Sequence, residues 1–600
     1  IEKMTELFQN SNYAFAGALV DELHRCGLKH VCFCPGSRSS PLAVSFAKHP
    51  SIKLWSHLDE RSAAFFALGM ACSLREPVAV LCSSGTAAAN FSPAVAEAWL
   101  SGVPLLVLTA DRPPELHGWG ALQTIDQTRM YGSQIKWSLD MPTPEAVSLD
   151  LMGSFRSVAC RAYVTASSSY PGPVHVNFPF RDPLEPLEVP EDFPSTLDTR
   201  DQRFLGRPDG KPFVSAPTLE QQLRPEDIEG IGRQLAGAER GIIVCGPQLN
   251  PELAQPVAAL ASRLAYPILA DALSQVRCGS HDRGLVVDSY DAFIRDAQVA
   301  DSLAPDVVIR FGALPVSKPL TQYLERHRNA RHILVNDSVA WADPFRLTSE
   351  IVRGDPALFC SQLASILDTP RHGGEWATRW LEIARKSRAA ISRAVGRFEG
   401  MFEGRLFTQL AELLPNDAIL FAGNSMPVRD MDTFVPSSER TVRFMSNRGA
   451  SGIDGVVSTA LGVSAATEQR VVLVVGDISF YHDMNGLLAA KAHSPNATII
   501  VVNNNGGGVF SFLPQADYDD VFETCFGTPH GLTYKRAAQL YGLEYSRPEG
   551  WEQFKDAVKG SLRGTCTDII EVFTAERDRN VVSHREVWKS VSDSVKAMAR

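Results

Sequence analysis

Short apolar runs framed by Gly, Pro or charge alternate along the chain with longer stretches in which apolar residues return every three or four positions. A helical pattern over Tyr13–Cys26 leads into the apolar run His30–Cys34. A second helical pattern near Arg61–Cys72 leads into Val78–Cys82, and a third through Ala87–Leu100 leads into Pro104–Leu108. Further along stand the runs Gly241–Cys245, Val307–Phe311, His332–Val335, Ala418–Ala422 and Val471–Val475. Runs this short are strands, and strands that alternate with helices predict mostly parallel sheets with helices on their faces.

Breaks in the pattern divide the chain into three α/β blocks. A polar stretch from Pro183 to about Pro217, rich in Pro and Asp, reads as a linker. The segment Asp368–Glu375, with Pro370, Gly373 and Gly374, marks a second boundary. The blocks are 1–190, 205–368 and 379–600. The longest apolar stretch, Ser92 to Ala110, contains Glu97, Gly102 and Pro104, so it reads as a buried helix followed by a buried strand and not as a membrane span.

A length of 600 residues fits two to four domains. The net charge of −10, without a long basic run, argues against non-specific nucleic-acid binding. The eleven cysteines form no CxxC pair. Cys32 and Cys34 share one strand face and read as buried reduced thiols, which fits a reducing compartment. The sequence begins at Ile1 with a polar segment, so the expectation is a cytoplasmic protein, or one of a plastid or other organelle stroma if a targeting segment has been removed.

The strongest chemical signal is Gly476-Asp477 directly after Val471–Val475, with Asn504 following 27 residues on at the end of the next strand. Successive parallel strands place their carboxyl ends side by side, where open α/β sheets bind ligands. An Asp and an Asn there offer hard oxygen atoms of the kind Mg²⁺ takes alongside phosphate and water. Gly506, Gly507 and Gly508 let the backbone approach a ligand closely. The three features describe a metal-bridged diphosphate site.

The Gly-Asp…Asn-Asn pattern resembles the metal-diphosphate motif of thiamine diphosphate (ThDP) enzymes, with Ile478 where that motif usually has Gly. The resemblance implies three doubly wound α/β domains: pyrimidine-binding, central and diphosphate-binding. It implies ThDP and Mg²⁺, or Mn²⁺ in its place, with Asp477, Asn504 and Gly506 on the metal. Gly476 and Ser479 then flank the diphosphate, and Ile453 supports the cofactor's bent shape. In His57-Leu58-Asp59-Glu60-Arg61-Ser62, Asp59 fits a helix N-cap and Glu60 a first-turn acid. The resemblance gives Glu60 a catalytic role as well, holding the N1′ proton of the aminopyrimidine. Cofactor binding between subunits implies a homodimer or homotetramer.

Further strings carry a closer resemblance. They are Pro35-Gly36-Ser37-Arg38-Ser39-Ser40-Pro41, Thr109-Ala110-Asp111-Arg112-Pro113-Pro114-Glu115, Gly423-Asn424-Ser425 with Arg429, and Ser446-Asn447-Arg448-Gly449-Ala450-Ser451-Gly452-Ile453-Asp454-Gly455. In this order they are similar to the branch of the family that joins 2-oxoglutarate to isochorismate in menaquinone and phylloquinone biosynthesis. Arg38, Arg112, Lys318, Arg429 and Arg448 each follow or lie near a strand end in a Gly- or Ser-bearing loop. Each alone fits a surface charge; together, in an acidic protein, they suggest a pocket for small polyanions. The resemblance implies that these five hold substrate carboxylates, that Ser37, Gln123 and Ser425 hydrogen-bond substrates, and that Val509, Phe510 and Leu513 form an apolar wall. The implied reaction decarboxylates 2-oxoglutarate and adds the succinyl-semialdehyde unit 1,4 to isochorismate. Another ThDP-dependent 2-oxoacid decarboxylase or carboligase is the alternative. A nucleotide oxidoreductase fits less well, since Gly118-Trp119-Gly120 lacks the third glycine of a dinucleotide fingerprint.

Overall fold

The computed structural model describes residues 8–217, 223–337, 341–367, 374–574 and 576–599. It holds three six-stranded, wholly parallel sheets. The first comprises β1 (His30–Phe33), β2 (Lys53–Ser56), β3 (Val78–Cys82), β4 (Leu105–Asp111), β5 (Trp137–Asp140) and β6 (Val174–Pro179). The second comprises β7 (Gly241–Cys245), β8 (Ile268–Ala270), β9 (Val286–Val287), β10 (Val307–Phe311), β11 (Arg331–Asn336) and β12 (Glu350–Arg353). The third comprises β13 (Ile419–Ala422), β14 (Arg443–Met445), β15 (Val471–Gly476), β16 (Ala497–Asn503), β17 (Glu544–Ser546) and β18 (Asp568–Phe573).

The first sheet runs β2-β1-β3-β4-β6-β5 and the third repeats that order as β14-β13-β15-β16-β18-β17. The second, β12-β11-β10-β7-β8-β9, has the doubly wound order 3-2-1-4-5-6 read from its other edge. The expected α/β class with parallel sheets is what the chain forms, because its central strands are apolar on both faces and helices cover both.

The chain forms two compact units. The first contains the described residues of 1–219 together with 447–468 and 483–495. Here helix Glu60–Leu74 lies directly on helix Val456–Ala465, and glycines make the approach close. A Cβ on Gly69 would stand 2.0 Å from the carbonyl oxygen of Thr459, and one on Gly462 would stand 2.0 Å from that of Phe66. The second unit contains the other two sheets. The fully buried Arg277 stitches its interior, bonding Asp432 at 2.6 Å and the carbonyls of Ala270 and Val435.

Two expectations change in detail. The helix foreseen through Ala87–Leu100 is two helices, Thr86–Ala89 and Ser92–Ser101. Pro93 sits in the first turn of the second, where a missing N–H is harmless, and it cannot extend the helix before it. The polar stretch 183–217 is no loose linker: Asn10 holds the carbonyls of Glu185 and Leu187, and Arg156 holds those of Arg203 and Phe204. Of the boundary Asp368–Glu375, residues 368–373 lie outside the described residues. Among the described residues no helix is long and apolar enough to cross a membrane.

Candidate active site

In the third sheet β15 and β16 are neighbours, and their register pairs Gly476 with Val502. Asp477 therefore leaves the sheet beside Asn503, with Asn504 one residue further. Asp477 opens helix Asp477–His482 and is buried. Its Oδ1 accepts the N–H of Ile478 at 2.8 Å, and its Oδ2 accepts the N–H of Gly506 at 3.0 Å. Burial raises its pKa, and these donors work against the rise.

Two partners of Asp477 carry no signal in the sequence. His530 Nε2 lies 3.0 Å from Asp477 Oδ2, and Nδ1 of the same ring accepts the N–H of Leu532 at 3.0 Å. That acceptance leaves the ring proton on Nε2, so His530 donates to the carboxylate. The Tyr534 hydroxyl donates to the carbonyl of Asp477 at 2.8 Å.

Asn504 is fixed from behind. Its Nδ2 donates to Glu403 Oε1 at 2.9 Å, and its Oδ1 is buried without a hydrogen-bond partner. Glu403 is itself buried, and the burial, helped by the charge of Asp430, pushes its pKa up to about 7. Gly506 has φ 139°, and a Cβ there would stand 2.0 Å from the carbonyl oxygen of Gly527, so only glycine fits. The Gly506 carbonyl accepts the N–H of Gly508 at 2.9 Å, which leaves one lone pair for another partner. A carboxylate, an orphaned amide oxygen and a carbonyl at one sheet edge fit a Mg²⁺ that takes its remaining ligands from phosphate and water.

The same edge carries other expected residues. Gly423 donates to the carbonyl of Val474, which sets the end of β13 beside β15. Ser425 follows in a left-handed conformation, φ 72°, and its carbonyl accepts Nη1 of the exposed Arg429. Ser479 is buried in the first turn after Asp477. Val509 and Phe510 are half-buried, and Phe510 packs on Phe526 with ring centres 5.5 Å apart. Leu513 is exposed just beyond them. Lys318 belongs to the second sheet; it opens helix Lys318–Arg326 after β10 and is exposed.

In the first unit, Glu60 opens helix Glu60–Leu74, and Asp59 caps that helix by accepting the N–H of Ser62 at 3.2 Å. Glu60 lies over the ends of β1 and β3, where its charge adds to the burial that raises the thiol pKa values of Cys34 and Cys82. Two guanidiniums share this edge. Arg38 is buried and donates to the carbonyl of Phe180 at 2.8 Å; Arg112 is half-buried. Burial, then the charge of Arg112, lowers the pKa of Arg38. The Nε of each is buried without a hydrogen-bond partner. Paired cations with unfilled donors are what an anion needs. Ser37 and Gln123 are exposed nearby; Gln123 holds the carbonyl of Ser84 at 3.0 Å from a left-handed backbone, φ 57°. Gln127, which carries no signal in the sequence, fixes this loop by accepting the N–H of Gly85 and donating to Ala110 and Asn177.

The loop carrying Arg448 and Ile453 belongs to the first unit. Its anchor is Glu97, a buried carboxylate on helix Ser92–Ser101. The N–H groups of Gly449 and Ala450 donate to its two oxygens, each at 2.7 Å, and the Ser101 hydroxyl adds a third bond at 2.7 Å. Gly449 sits so close to the helix that a Cβ would meet Ser101 Oγ at 2.7 Å. Gly455, at φ 66°, lies against the ring of Phe65 with no room for a side chain. Ile453, between them, is exposed.

Two sheets of like order, each with charged and glycine-bearing loops at its carboxyl edge, and a third α/β sheet between them in sequence make the architecture of thiamine pyrophosphate enzymes. Family models agree: the N-terminal TPP binding domain of such enzymes matches residues 14–130, their middle domain 215–422, and their C-terminal TPP binding domain 429–572. Within that class the chain is similar to the 2-succinyl-5-enolpyruvyl-6-hydroxy-3-cyclohexene-1-carboxylate synthase of Geobacillus kaustophilus, 48% identical over 97% of this chain and 98% of that protein. It is similar to the synthases of the same name from Chloroflexus aurantiacus, at 43% identity over 97% of this chain and 96% of that one, and Listeria monocytogenes, at 41% over 97% and 98%. The chain belongs to this family of synthases.

Proposed function

We propose that the chain is a ThDP- and Mg²⁺-dependent carboligase. It decarboxylates 2-oxoglutarate and adds the succinyl-semialdehyde unit 1,4 to isochorismate, giving the product for which its relatives are named, in menaquinone or phylloquinone biosynthesis. The observation that carries the reading is the buried, unpartnered Oδ1 of Asn504 beside Asp477. A buried polar atom without a partner is costly unless a ligand satisfies it.

When bound, ThDP supplies the electron sink for decarboxylation and carbon–carbon bond formation. The chain supplies the rest. Asp477, Asn504 and the Gly506 carbonyl hold Mg²⁺, or Mn²⁺ in its place, and through it the diphosphate, with Gly476 and Ser479 alongside. Glu60 holds the proton at N1′ of the aminopyrimidine, and Ile453 supports the cofactor's shape. Arg38, Arg112, Lys318, Arg429 and Arg448 bind the carboxylates of the two substrates, which planar guanidinium forks suit. Ser37, Gln123 and Ser425 orient them by hydrogen bonds. Val509, Phe510 and Leu513 keep water from the reacting carbon. The domains on this reading are residues 1–190, 205–368 and 379–600. The protein acts as a homodimer or homotetramer whose subunits share active sites, in the cytoplasm or an organelle stroma.

The second sheet has the strand order of dinucleotide-binding folds, which favours a nucleotide site at its switch point between β7 and β10. The loops there close on each other instead. Gly246 donates to the carbonyl of Phe311, and Ala313 donates to that of Pro247 at 2.9 Å. A Cβ on Gly246 would stand 1.9 Å from the Ala313 carbonyl oxygen, so backbone fills the place a pyrophosphate takes. The deciding experiment is turnover of 2-oxoglutarate plus isochorismate with ThDP and Mg²⁺ present or omitted, against pyruvate as the alternative 2-oxoacid. Product that forms only with both cofactors and both dicarboxylates supports the proposal; preference for pyruvate refutes it.

A further inference from the structure

Helix Ser11–Cys26 ends just before β1 begins, at the edge of the first sheet opposite to Glu60. Its last residue, Cys26, touches Cys160 on helix Leu149–Ser167, with the two sulfurs 3.6 Å apart. Cys160 Sγ lies 3.4 Å from Glu22 Oε1, and ligand atoms of all three residues fall within 4.8 Å of one another. Residues 134 positions apart in sequence thus bring two thiols and a carboxylate to one point.

Two of the three separations, Cys26–Cys160 and Cys160–Glu22, match the edges of a coordination polyhedron, and the third lies within 4.8 Å. Two thiolates about 2.3 Å from a tetrahedral zinc-class ion stand about 3.8 Å apart, and a thiolate and a carboxylate oxygen stand about 3.6 Å apart. The observed edges are within a few tenths of an ångström of both. A disulfide needs its sulfurs at about 2.05 Å, far closer than they lie.

An outer layer is also in place. The N–H of Val214 points at Cys160 Sγ at 3.4 Å, and the N–H of Phe213 donates to Glu22 Oε1. Arg156 grips Glu22 Oε2 at 2.8 Å and Asp21 Oδ2 at 2.7 Å, so the carboxylate is oriented with its Oε1 toward the thiols. Bonds of this kind fix ligand orientation at metal sites. In the thiol form Cys26 donates to Cys160 and Cys160 donates to Glu22. Two protons therefore lie among the three ligands, and a dication that displaces both leaves the net charge unchanged.

We propose that Cys26, Cys160 and Glu22 form a binding site for a thiophilic divalent cation of the zinc class, with water at the fourth vertex. Binding is an exchange without electron transfer: M²⁺ plus two thiols gives the dithiolate complex and two H⁺, and no co-reactant is needed. Cys26 is half-buried, so the ion enters from its side. Once seated, it ties two helices to the 213–214 segment. The hard oxygen atoms around Asp477 suit a different class of ion.

The test uses the reduced, full-length protein, stripped by chelator and then saturated with Mg²⁺ and ThDP so that oxygen sites are filled. Cd²⁺ serves as the optical probe and Zn²⁺ as the competitor. The expected result is one thiolate-to-cadmium charge-transfer band per chain, saturating at one equivalent. It should be reversed by Zn²⁺, with two protons released and two fewer thiols open to a disulfide reagent. Cys26→Ser and Cys160→Ser should each abolish the band, and Glu22→Gln should weaken binding by at least the roughly tenfold that loss of an outer-shell partner costs. Retention of ThDP binding in Cys26→Ser shows that the variant is folded. No band, or an unchanged band in Cys26→Ser arising from the exposed Cys525 and Cys566, overturns the site. So does a mass loss of about 2 Da on mild oxidation that proceeds equally fast with Zn²⁺ present, because the ion then protects neither sulfur.

Discussion

Replacing Glu97 by Gln tests whether the loop that carries Arg448 and Ile453 is placed by one buried carboxylate. Glu97 accepts the N–H groups of Gly449 and Ala450, both at 2.7 Å, and the Ser101 hydroxyl at 2.7 Å. Gln keeps one acceptor but turns an NH₂ toward the second backbone N–H. The loss is one charge-assisted bond, worth about 1.5–3 kcal/mol when fully desolvated. Ala450 is exposed, so water recovers part of that, and about 2 kcal/mol is the fair figure. If the loop positions substrate, this appears as a roughly 30-fold fall in kcat/KM. The assay is steady-state turnover of 2-oxoglutarate and isochorismate, with urea unfolding run in parallel. Ser101→Ala is the control: it removes a hydroxyl bond to the same carboxylate, worth about 1.5–3 kcal/mol, but leaves both loop bonds intact, so stability should fall while its kinetics stay near wild type. A Glu97→Gln enzyme that loses stability yet turns over at close to the wild-type rate would show that the clamp serves the fold alone. Equal kinetic losses in both variants would show that the two N–H bonds are not the cause.

If the diphosphate is held through the ion as proposed, Asp477→Ala should lose Mg²⁺ and ThDP together; calorimetry that finds wild-type ThDP affinity in Mg²⁺ would remove Asp477 from the site. Glu60→Gln should still bind ThDP, while exchange of the cofactor's C2 proton slows by roughly 10²–10⁴-fold, followed by NMR; unchanged exchange would pass the role to another group. Glu403, with its pKa pushed up to about 7, keeps a proton in the folded chain that an unfolded Glu has lost from its ordinary value of 4.5 upward. The native state therefore binds more protons between those values, and this group's contribution to stability falls as pH rises through that window. Urea midpoints of Glu403→Gln should accordingly gain on wild type between about pH 5 and pH 8, and a constant difference would contradict the assignment.

The hydrophobic pattern is enough to find Gly241–Cys245 and Val307–Phe311 to the residue, because apolar runs bounded by Gly or charge leave little choice of register. Strand order is not legible. That β1 pairs with β3, and that the third sheet repeats the first, depends on contacts far apart in sequence. The same limit holds at the site. Asp477, Asn504 and Gly506 announce themselves by standing at strand ends. Glu403, His530 and Glu97 touch the site's residues from 101, 53 and 352 positions away. A buried Glu inside an apolar helix looks like an ordinary helix residue until its acceptors are seen to be filled by another segment's backbone. Pro93 is visible in the sequence, but the run of alanines before it masks its power to break a helix.

The helix Val456–Ala465 and the segment 483–495 complete the first unit, although the chain between 219 and 447 builds another. During synthesis, the glycine-lined face of helix Glu60–Leu74 must therefore wait for its cover. Some 390 residues separate Leu74 from Ala465, where that cover ends. At roughly 5–20 residues per second the wait is about 20–80 s. Through that interval the nascent chain presents an apolar surface it cannot bury, which is the condition that recruits chaperones. A gene split or fusion junction placed between 219 and 447 would make the wait permanent in one fragment, so the two halves of this protein should reach solubility only when they are made together.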